Sequence, residues 1–214
     1  RLSLVGSEMC IRDRTSPAGD KSTHERPREC TVKAEHVHDD LSNVLFTKEQ
    51  IAQKVRELAQ QIDRDYDGRD VLLVGVLKGA VMVMADLMRE LEGQYPMDWM
   101  AVSSYGSGTK SSGVVRILKD LDTDLHGKDV LIVEDVIDSG LTLSWLRTNL
   151  ESRGPASVEI CTLLRKPDAA KTDIDVRYVG WDIPNEFVVG YGLDFAEQYR
   201  NLDCIATLAP HVYE

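Results

Sequence analysis

Apolar residues recur at helical spacing through Ile51, Val55, Leu58 and Ile62, which predicts a helix running to about Tyr66. Thr47 and Gln50 mark its start as an N-cap hydroxyl and the matching capping-box position three residues on. Residues 71–77 then form a continuous apolar run, too short for a typical helix and suited to a strand buried on both faces. Lys78-Gly79 ends that run. Helical spacing returns over 80–91, with Val81, Met84, Ala85, Met88 and Leu91 expected on the buried face. Further strands are expected at 97–104, 114–119, 130–134, 157–164 and 177–181, and a helix at about 142–152. This alternation predicts an α/β fold with a mainly parallel central sheet flanked by helices and some antiparallel additions.

The region before this pattern reads differently. Residues 1–42 mix charges, Pro, Ser and Thr without a period and are expected to be a disordered tail, with order beginning near Leu45 and one domain occupying 43–214. Within the tail, residues 3–14 resemble translated sequencing-adapter read-through and are set aside from the fold. The whole chain has 214 residues and 43% hydrophobic content, enough for one globular domain with a sizeable core.

A formal net charge of -11 and a sequence pI near 4.9 argue against a nucleic-acid partner, because neutralising phosphates takes clustered Lys and Arg. An anionic ligand must therefore be held locally. The longest apolar runs fall well short of the roughly 20 residues that span a bilayer, so no membrane segment is expected. Cys10, Cys30, Cys161 and Cys204 are widely spaced, with no C-x-x-C pair and no secretory signal; free thiols in a cytoplasmic protein are expected.

The chemistry concentrates at Val-Leu-Ile-Val-Glu-Asp-Val-Ile-Asp-Ser-Gly-Leu-Thr, residues 130–142. A buried strand brings Glu134 and Asp135 to its carboxyl end, where open α/β sheets bind ligands beside a switch in strand order. Asp138, Ser139, Gly140, Leu141 and Thr142 then supply two hydroxyls, a glycine that permits close backbone approach, and amides opening a helix. Unpaired N–H groups and the helix dipole make that an anion site. A helix cap at Asp138 or Ser139 below two solvated acids is the plainer alternative, and the length of the whole pattern weighs against it.

This segment closely resembles the phosphoribosyl-diphosphate motif of the purine phosphoribosyltransferases, and the surrounding chain, from about Leu45 to Ile205, resembles the bacterial-type hypoxanthine and guanine branch. The resemblance implies the type I phosphoribosyltransferase fold, with a small hood built from the first ordered residues and those after about Lys166. It implies displacement of pyrophosphate from C1 of 5-phosphoribosyl diphosphate by purine N9, through a transition state of oxocarbenium character, with one or two Mg²⁺. Glu134 and Asp135 would engage the ribose hydroxyls directly or through a metal. Asp138 would be the proton-transfer group beside N7, and Asp138 through Thr142 would wrap the 5-phosphate.

Other segments carry the same resemblance. Lys78-Gly79 matches the pair that binds pyrophosphate across a cis peptide, although read alone Lys78 is a solvated strand-end lysine. The polar, glycine-rich stretch 103–113 resembles the family's lid, in which Ser104 and Tyr105 close over the reacting centre and exclude water. It lacks the G-x-x-x-x-G-K-[ST] spacing of a nucleotide phosphate loop. Lys166 matches the lysine that donates to purine O6, a bond that the amino group of adenine could not accept. In the stretch 183–200, Phe187 would stack on the base, Val188 would read its edge through the backbone, Asp194 would ligate a second Mg²⁺, and Arg200 would reach pyrophosphate. Read alone, Phe187 is more often a core aromatic and Asp194 a turn residue. The resemblance further implies a homodimer or homotetramer.

Two patterns are set aside. Asp120, Asp122 and Asp124 have the spacing that opens a calcium loop, but Leu125 stands where Gly is needed and Leu131 where the bidentate Glu belongs. A solvated turn is expected there. His36 and His38, followed by Asp39 and Asp40, lie in the expected tail, where no metal site is expected. Two competing functions remain open: a regulatory protein of this fold that binds phosphoribosyl diphosphate to control nucleic acid, and an enzyme of this fold acting on xanthine or a pyrimidine. The joint presence of Asp138, Lys166 and Asp194 and the charge of -11 count against the first.

Overall fold

The computed structural model describes residues 34–104 and 115–213. Six strands make the main sheet: β2 (Val71–Leu77), β3 (Met97–Ser104), β4 (Val115–Lys119), β5 (Asp129–Ile137), β6 (Ser157–Arg165) and β7 (Tyr178–Asp182). Their order is β4-β3-β2-β5-β6-β7, parallel throughout except for β4 against β3. From β2 the chain steps outward to β3 and then returns to place β5 on the other side of β2. The order thus reverses between β2 and β5, opening a crevice at their carboxyl ends.

Both faces of the sheet are covered. Helix α1 (Lys48–Asp65) turns Ile51, Val55, Leu58 and Ile62 onto the face formed by Leu73, Leu131, Val133 and Leu163. Its capping box is formed: Thr47 Oγ1 accepts from Gln50 N at 3.4 Å, and Gln50 Oε1 accepts from Thr47 N at 2.8 Å. Helix α3 (Leu141–Glu151) buries Leu143, Leu146 and Leu150 on the opposite face, against Leu72, Val74, Ile132 and Ile160. Alternate residues of β2 and β5 therefore feed two cores, which explains their unbroken apolar sequence.

Helix α2 (Val81–Glu90) packs beside α1, but its buried stripe is not the expected one. Ala80, Val83, Met84 and Leu87 are buried, while Val81 is 38% exposed. Residues 80–88 are apolar on nearly every side, so period alone fits two stripes; the fully buried Ala80 selects the rotation actually used.

A second, antiparallel sheet orders β1 (Leu41–Phe46), β9 (Ile205–Leu208) and β8 (Val188–Val189) as β1-β9-β8. This is the hood. Regular structure begins earlier than the expected Leu45, with a 3₁₀ segment over Ala34–Asp40 leading into β1. The hood also takes its C-terminal part from beyond Asp182, not from Lys166 onward, because β7 pairs in the main sheet and Arg165 grips Asp182 through Nε and Nη2 at 2.7 and 3.0 Å. A short helix, α4 (Pro210–Tyr213), follows β9.

The acidic 120–124 turn has a structural role. Asp98 Oδ2 accepts from the backbone N–H of Asp122 and Thr123 at 2.8 and 3.0 Å, and Asp120 pairs with Arg153 at 2.7 Å. Among the described residues, no helix is long and apolar enough to cross a membrane, and Cys161 and Cys204 are buried free thiols. Cys10, Cys30 and the adapter-like stretch lie outside the described residues.

Candidate active site

Strands β2 and β5 end side by side, Gly75 pairing with Val133, so the two loops that follow face each other across the crevice. The first is Leu77-Lys78-Gly79, whose Leu77–Lys78 peptide is cis. Gly79 rests against the carboxylate of Asp135 so closely that a Cβ would overlap it. The second runs from the end of β5, three residues past Glu134, into α3. Gly140, at φ +74, turns the chain into the helix as its N-cap residue with no side chain of its own to cap it; Leu141 N donates to Ser139 Oγ at 3.5 Å, and the amides that follow point into the turn where a ligand could meet them. A 150 Å³ cavity sits over this turn, lined by Glu134, Asp138, Ser139, Gly140 and Thr142 among others. Leu141 turns outward, 38% exposed, so what it offers this turn is its backbone.

A second cavity of 330 Å³ opens beside the first. Lys78, Gly79 and Asp135 line one wall, Asp138 and Lys166 the floor, and Phe187, Val188, Asp194 and Arg200 the wall contributed by the hood and the segment after it. Lys166 is buried, and its Nζ lies 3.9 Å from Asp138 Oδ2, so a cation and a carboxylate face the same small volume. Phe187 is 39% exposed, with Phe195 edge-on at 5.6 Å and Tyr213 stacked at 5.4 Å. It is therefore not a core aromatic; one part of the ring is left facing the cavity.

The acids are poised differently. Burial raises the Glu134 carboxyl well above its ordinary pKa, and Asp135 beside it adds to the rise. Asp135 is also raised by burial, against which the Val136 amide and Arg200 pull downward. Among the described residues no ion pair or hydrogen bond reaches the Glu134 carboxylate. Asp194, by contrast, is engaged: Oδ1 meets Arg200 at 2.8 Å and Oδ2 accepts from Glu197 N at 2.9 Å.

Sequence reasoning did not single out Glu197, whose carboxylate accepts from Lys78 at 3.0 Å and lies 3.5 Å from Arg200. Lys78 holds the Glu197 carboxyl below its ordinary range. It also passed over Gly192, which has no room for a Cβ against the Gly79 carbonyl. The Gly-Tyr-Gly run 190–192 was the available signal, since paired glycines mark backbone that needs φ > 0. The lid expectation falls largely outside the described residues: Tyr105 is not among them, and Ser104 is described only as the last residue of β3.

A larger cleft of 780 Å³ lies at the amino ends of β2 and β3, but its polar centre is already satisfied. Asp63 accepts there from the Glu92 and Gly93 amides and the Tyr95 hydroxyl. The chemistry lies at the other end of the sheet.

Comparison with known proteins identifies the family. The chain is 58% identical over 187 residues to a hypoxanthine-guanine phosphoribosyltransferase of Mycobacterium tuberculosis, covering 85% of this chain and 93% of that protein. It is 49% identical over 174 residues to the protein of that name from Streptococcus thermophilus, covering 81% and 97%. Among solved structures, a hypoxanthine phosphoribosyltransferase of Staphylococcus aureus superposes with a TM-score of 0.81 at 49% identity, covering 84% of this chain and 97% of that one. The model of the phosphoribosyl transferase domain matches residues 43–196, and the chain belongs to that family.

Proposed function

We propose that this chain transfers the phosphoribosyl group of 5-phosphoribosyl diphosphate to hypoxanthine or guanine, giving the nucleoside monophosphate and pyrophosphate, a purine-salvage reaction. The observation that carries the reading is the 330 Å³ cavity, which gathers Lys78, Gly79, Asp138, Lys166, Phe187, Asp194 and Arg200 from five separate segments. Family membership and the relatives' names support it.

In this reading the 5-phosphate sits on the turn from Asp138 to Thr142, held by helix-opening amides and the Ser139 and Thr142 hydroxyls. Glu134 and Asp135 hold the ribose hydroxyls. The purine lies against the exposed part of Phe187, its edge toward the Val188 backbone, with Lys166 donating to O6 and Asp138 exchanging a proton at N7. Lys166 Nζ lies 3.9 Å from Asp138 Oδ2, so the donor to O6 and the proton-transfer carboxylate meet the same base. Arg200 and the Lys78-Gly79 segment receive the departing pyrophosphate. For Arg200 this means exchanging Asp194 for a ligand anion, which frees the Asp194 carboxylate for a metal.

Among the described residues no three acids gather into one metal cluster: Glu134 lines the turn cavity, and Asp135 and Asp194 the larger one. Their hard carboxylate oxygens still suit Mg²⁺, which is commonly held by one or two carboxylates with waters and substrate phosphates. When bound, Mg²⁺ supplies positive charge against the leaving pyrophosphate. Ser104 and Tyr105 would exclude water from the reacting centre. The family resemblance adds a homodimer or homotetramer and a cytoplasmic setting.

The test is a radiolabelled-base assay with purified protein, 5-phosphoribosyl diphosphate and Mg²⁺. Turnover with hypoxanthine or guanine, lost on chelation and restored by Mg²⁺, is expected. No turnover with any base would sink the enzyme reading, and turnover restricted to xanthine or a pyrimidine would reassign the substrate.

A further inference from the structure

Neither Tyr191 nor Asp86 lines the cavity, yet together they join its two walls. Tyr191 stands at φ +50 between Gly190 at +97 and Gly192 at +99. A bulky residue adopts that conformation only where its surroundings hold it. Backbone bonds supply part of the hold, from Tyr191 N to Leu202 O and from Gly192 N to Arg200 O, each 2.9 Å. The rest comes from the side chain. Its ring is 9% exposed, and its hydroxyl donates to Asp86 Oδ2 at 2.7 Å. Arg89 donates to the other oxygen, Oδ1, at 2.7 Å and so fixes the acceptor.

Asp86 lies on α2, the helix that begins just after Lys78-Gly79; Tyr191 opens the segment that carries Asp194 and Arg200. The hydroxyl–carboxylate bond thus ties one wall of the cavity to the other. Gly192, next to Tyr191, is pressed against the Gly79 carbonyl at the seam. Burial and the Asp86 contact both raise the Tyr191 hydroxyl pKa, so it remains a donor across the working pH range.

We propose that Tyr191 and Asp86 are positioning residues that set the spacing between Lys78-Gly79 and Arg200, and hence the affinity for pyrophosphate and for the diphosphate end of the phosphoribosyl donor. The inference rests on the phosphoribosyl-transfer reading of the cavity. Lys166 and Asp138 lie in loops after β6 and β5, which the bond does not join, and Phe187 and Val188 are held from the other side by β9, Leu208 N donating to Phe187 O at 2.8 Å and Val188 pairing with Thr207, so base binding is expected to change far less.

Tyr191→Phe removes the bond and keeps the ring. The KM for 5-phosphoribosyl diphosphate is expected to rise about five-fold, equivalent to about 1 kcal/mol, with calorimetric affinity for inorganic pyrophosphate falling by a similar factor. The KM for hypoxanthine stays within about two-fold of wild type. Asp86→Ala gives the same pattern, the double variant is no worse than either single one, and Asp86→Asn, which keeps an acceptor oxygen, lies closer to wild type. Additive effects, equal rises in both KM values, or a lower Tm with unchanged pyrophosphate affinity would overturn the proposal. Absence of turnover by wild type would instead refute the enzyme reading, while pyrophosphate affinity in the same variants still decides the positioning role.

Discussion

Gly79→Ala tests how tightly Asp135, one of the acids proposed to hold the ribose, is set. A methyl at this position would lie 2.5 Å from Asp135 Cγ and 3.0 Å from Oδ1, and would overlap Oδ2. Non-bonded heavy atoms rest at about 3.5–4.0 Å, so the carboxylate must retreat by about 1 Å. Gly79 itself cannot retreat, because its carbonyl already abuts Gly192. The displacement therefore falls on a side chain that can move, at an overpacking cost of about 1–3 kcal/mol. A misplacement of about 1 Å at a reacting centre costs about 10²-fold in rate, so activity is expected to suffer far more than folding. Measured at saturating hypoxanthine, kcat/KM for 5-phosphoribosyl diphosphate should fall about 100-fold. Thermal unfolding in parallel should show a Tm lowered by roughly 2–12 °C, at about 2–4 °C per kcal/mol for a domain of this size. A kcat/KM within about three-fold of wild type would refute the close-approach reasoning.

Three further outcomes follow from the same geometry. Asp138→Asn should lower kcat by about 10²–10⁴ with smaller changes in KM, and a kcat within a few-fold of wild type in single-turnover measurements would remove its proton-transfer role. Lys166→Met should raise the KM for hypoxanthine roughly 10- to 100-fold, the equivalent of about 1.5–3 kcal/mol for a charged donor, and an equal rise in the KM for the phosphoribosyl donor would count against a contact to the base. Burial pushes the Asp98 carboxyl up, but the Trp99, Asp122 and Thr123 donors outweigh it and leave the pKa lowered. Its contribution is thus present above the unfolded-state pKa and lost as pH falls through the lower folded-state value. Asp98→Asn should cost about 1–3 kcal/mol in urea unfolding at neutral pH, with the gap to wild type narrowing in acid; a gap independent of pH would refute the assignment.

The main sheet was legible because each strand carries its own signal. Residues 71–77 are apolar without interruption, and β5 carries two adjacent acids near its carboxyl end that nothing in a plain strand requires. The hood was harder to place, for a physical reason. β8 is two residues long and β9 four, and Leu41–Phe46 has three exposed positions in a row, so none carries a period. They become strands only by pairing with segments outside their own neighbourhood, Leu41 with Leu208 from the far end of the chain and Val188 with Thr207 beyond the intervening loop. At the site, Phe187 and Lys166 were singled out through resemblance; the local sequence of Phe187 favoured a core role. Glu197 and the Tyr191–Asp86 bond were not anticipated, because a charge pair or hydrogen bond between residues more than a hundred positions apart leaves no trace in either neighbourhood.

The pairing of β1 with β9 also bears on the order of assembly during synthesis. Every strand of the main sheet lies between Val71 and Asp182, so that layer can close while the last part of the chain is still within the ribosome. β1 leaves first but must wait for Ile205–Leu208 before its backbone is paired, and β8, which follows Phe187, waits for the same partner. The nascent protein would thus complete the turn proposed to hold phosphate well before the wall proposed to hold the purine.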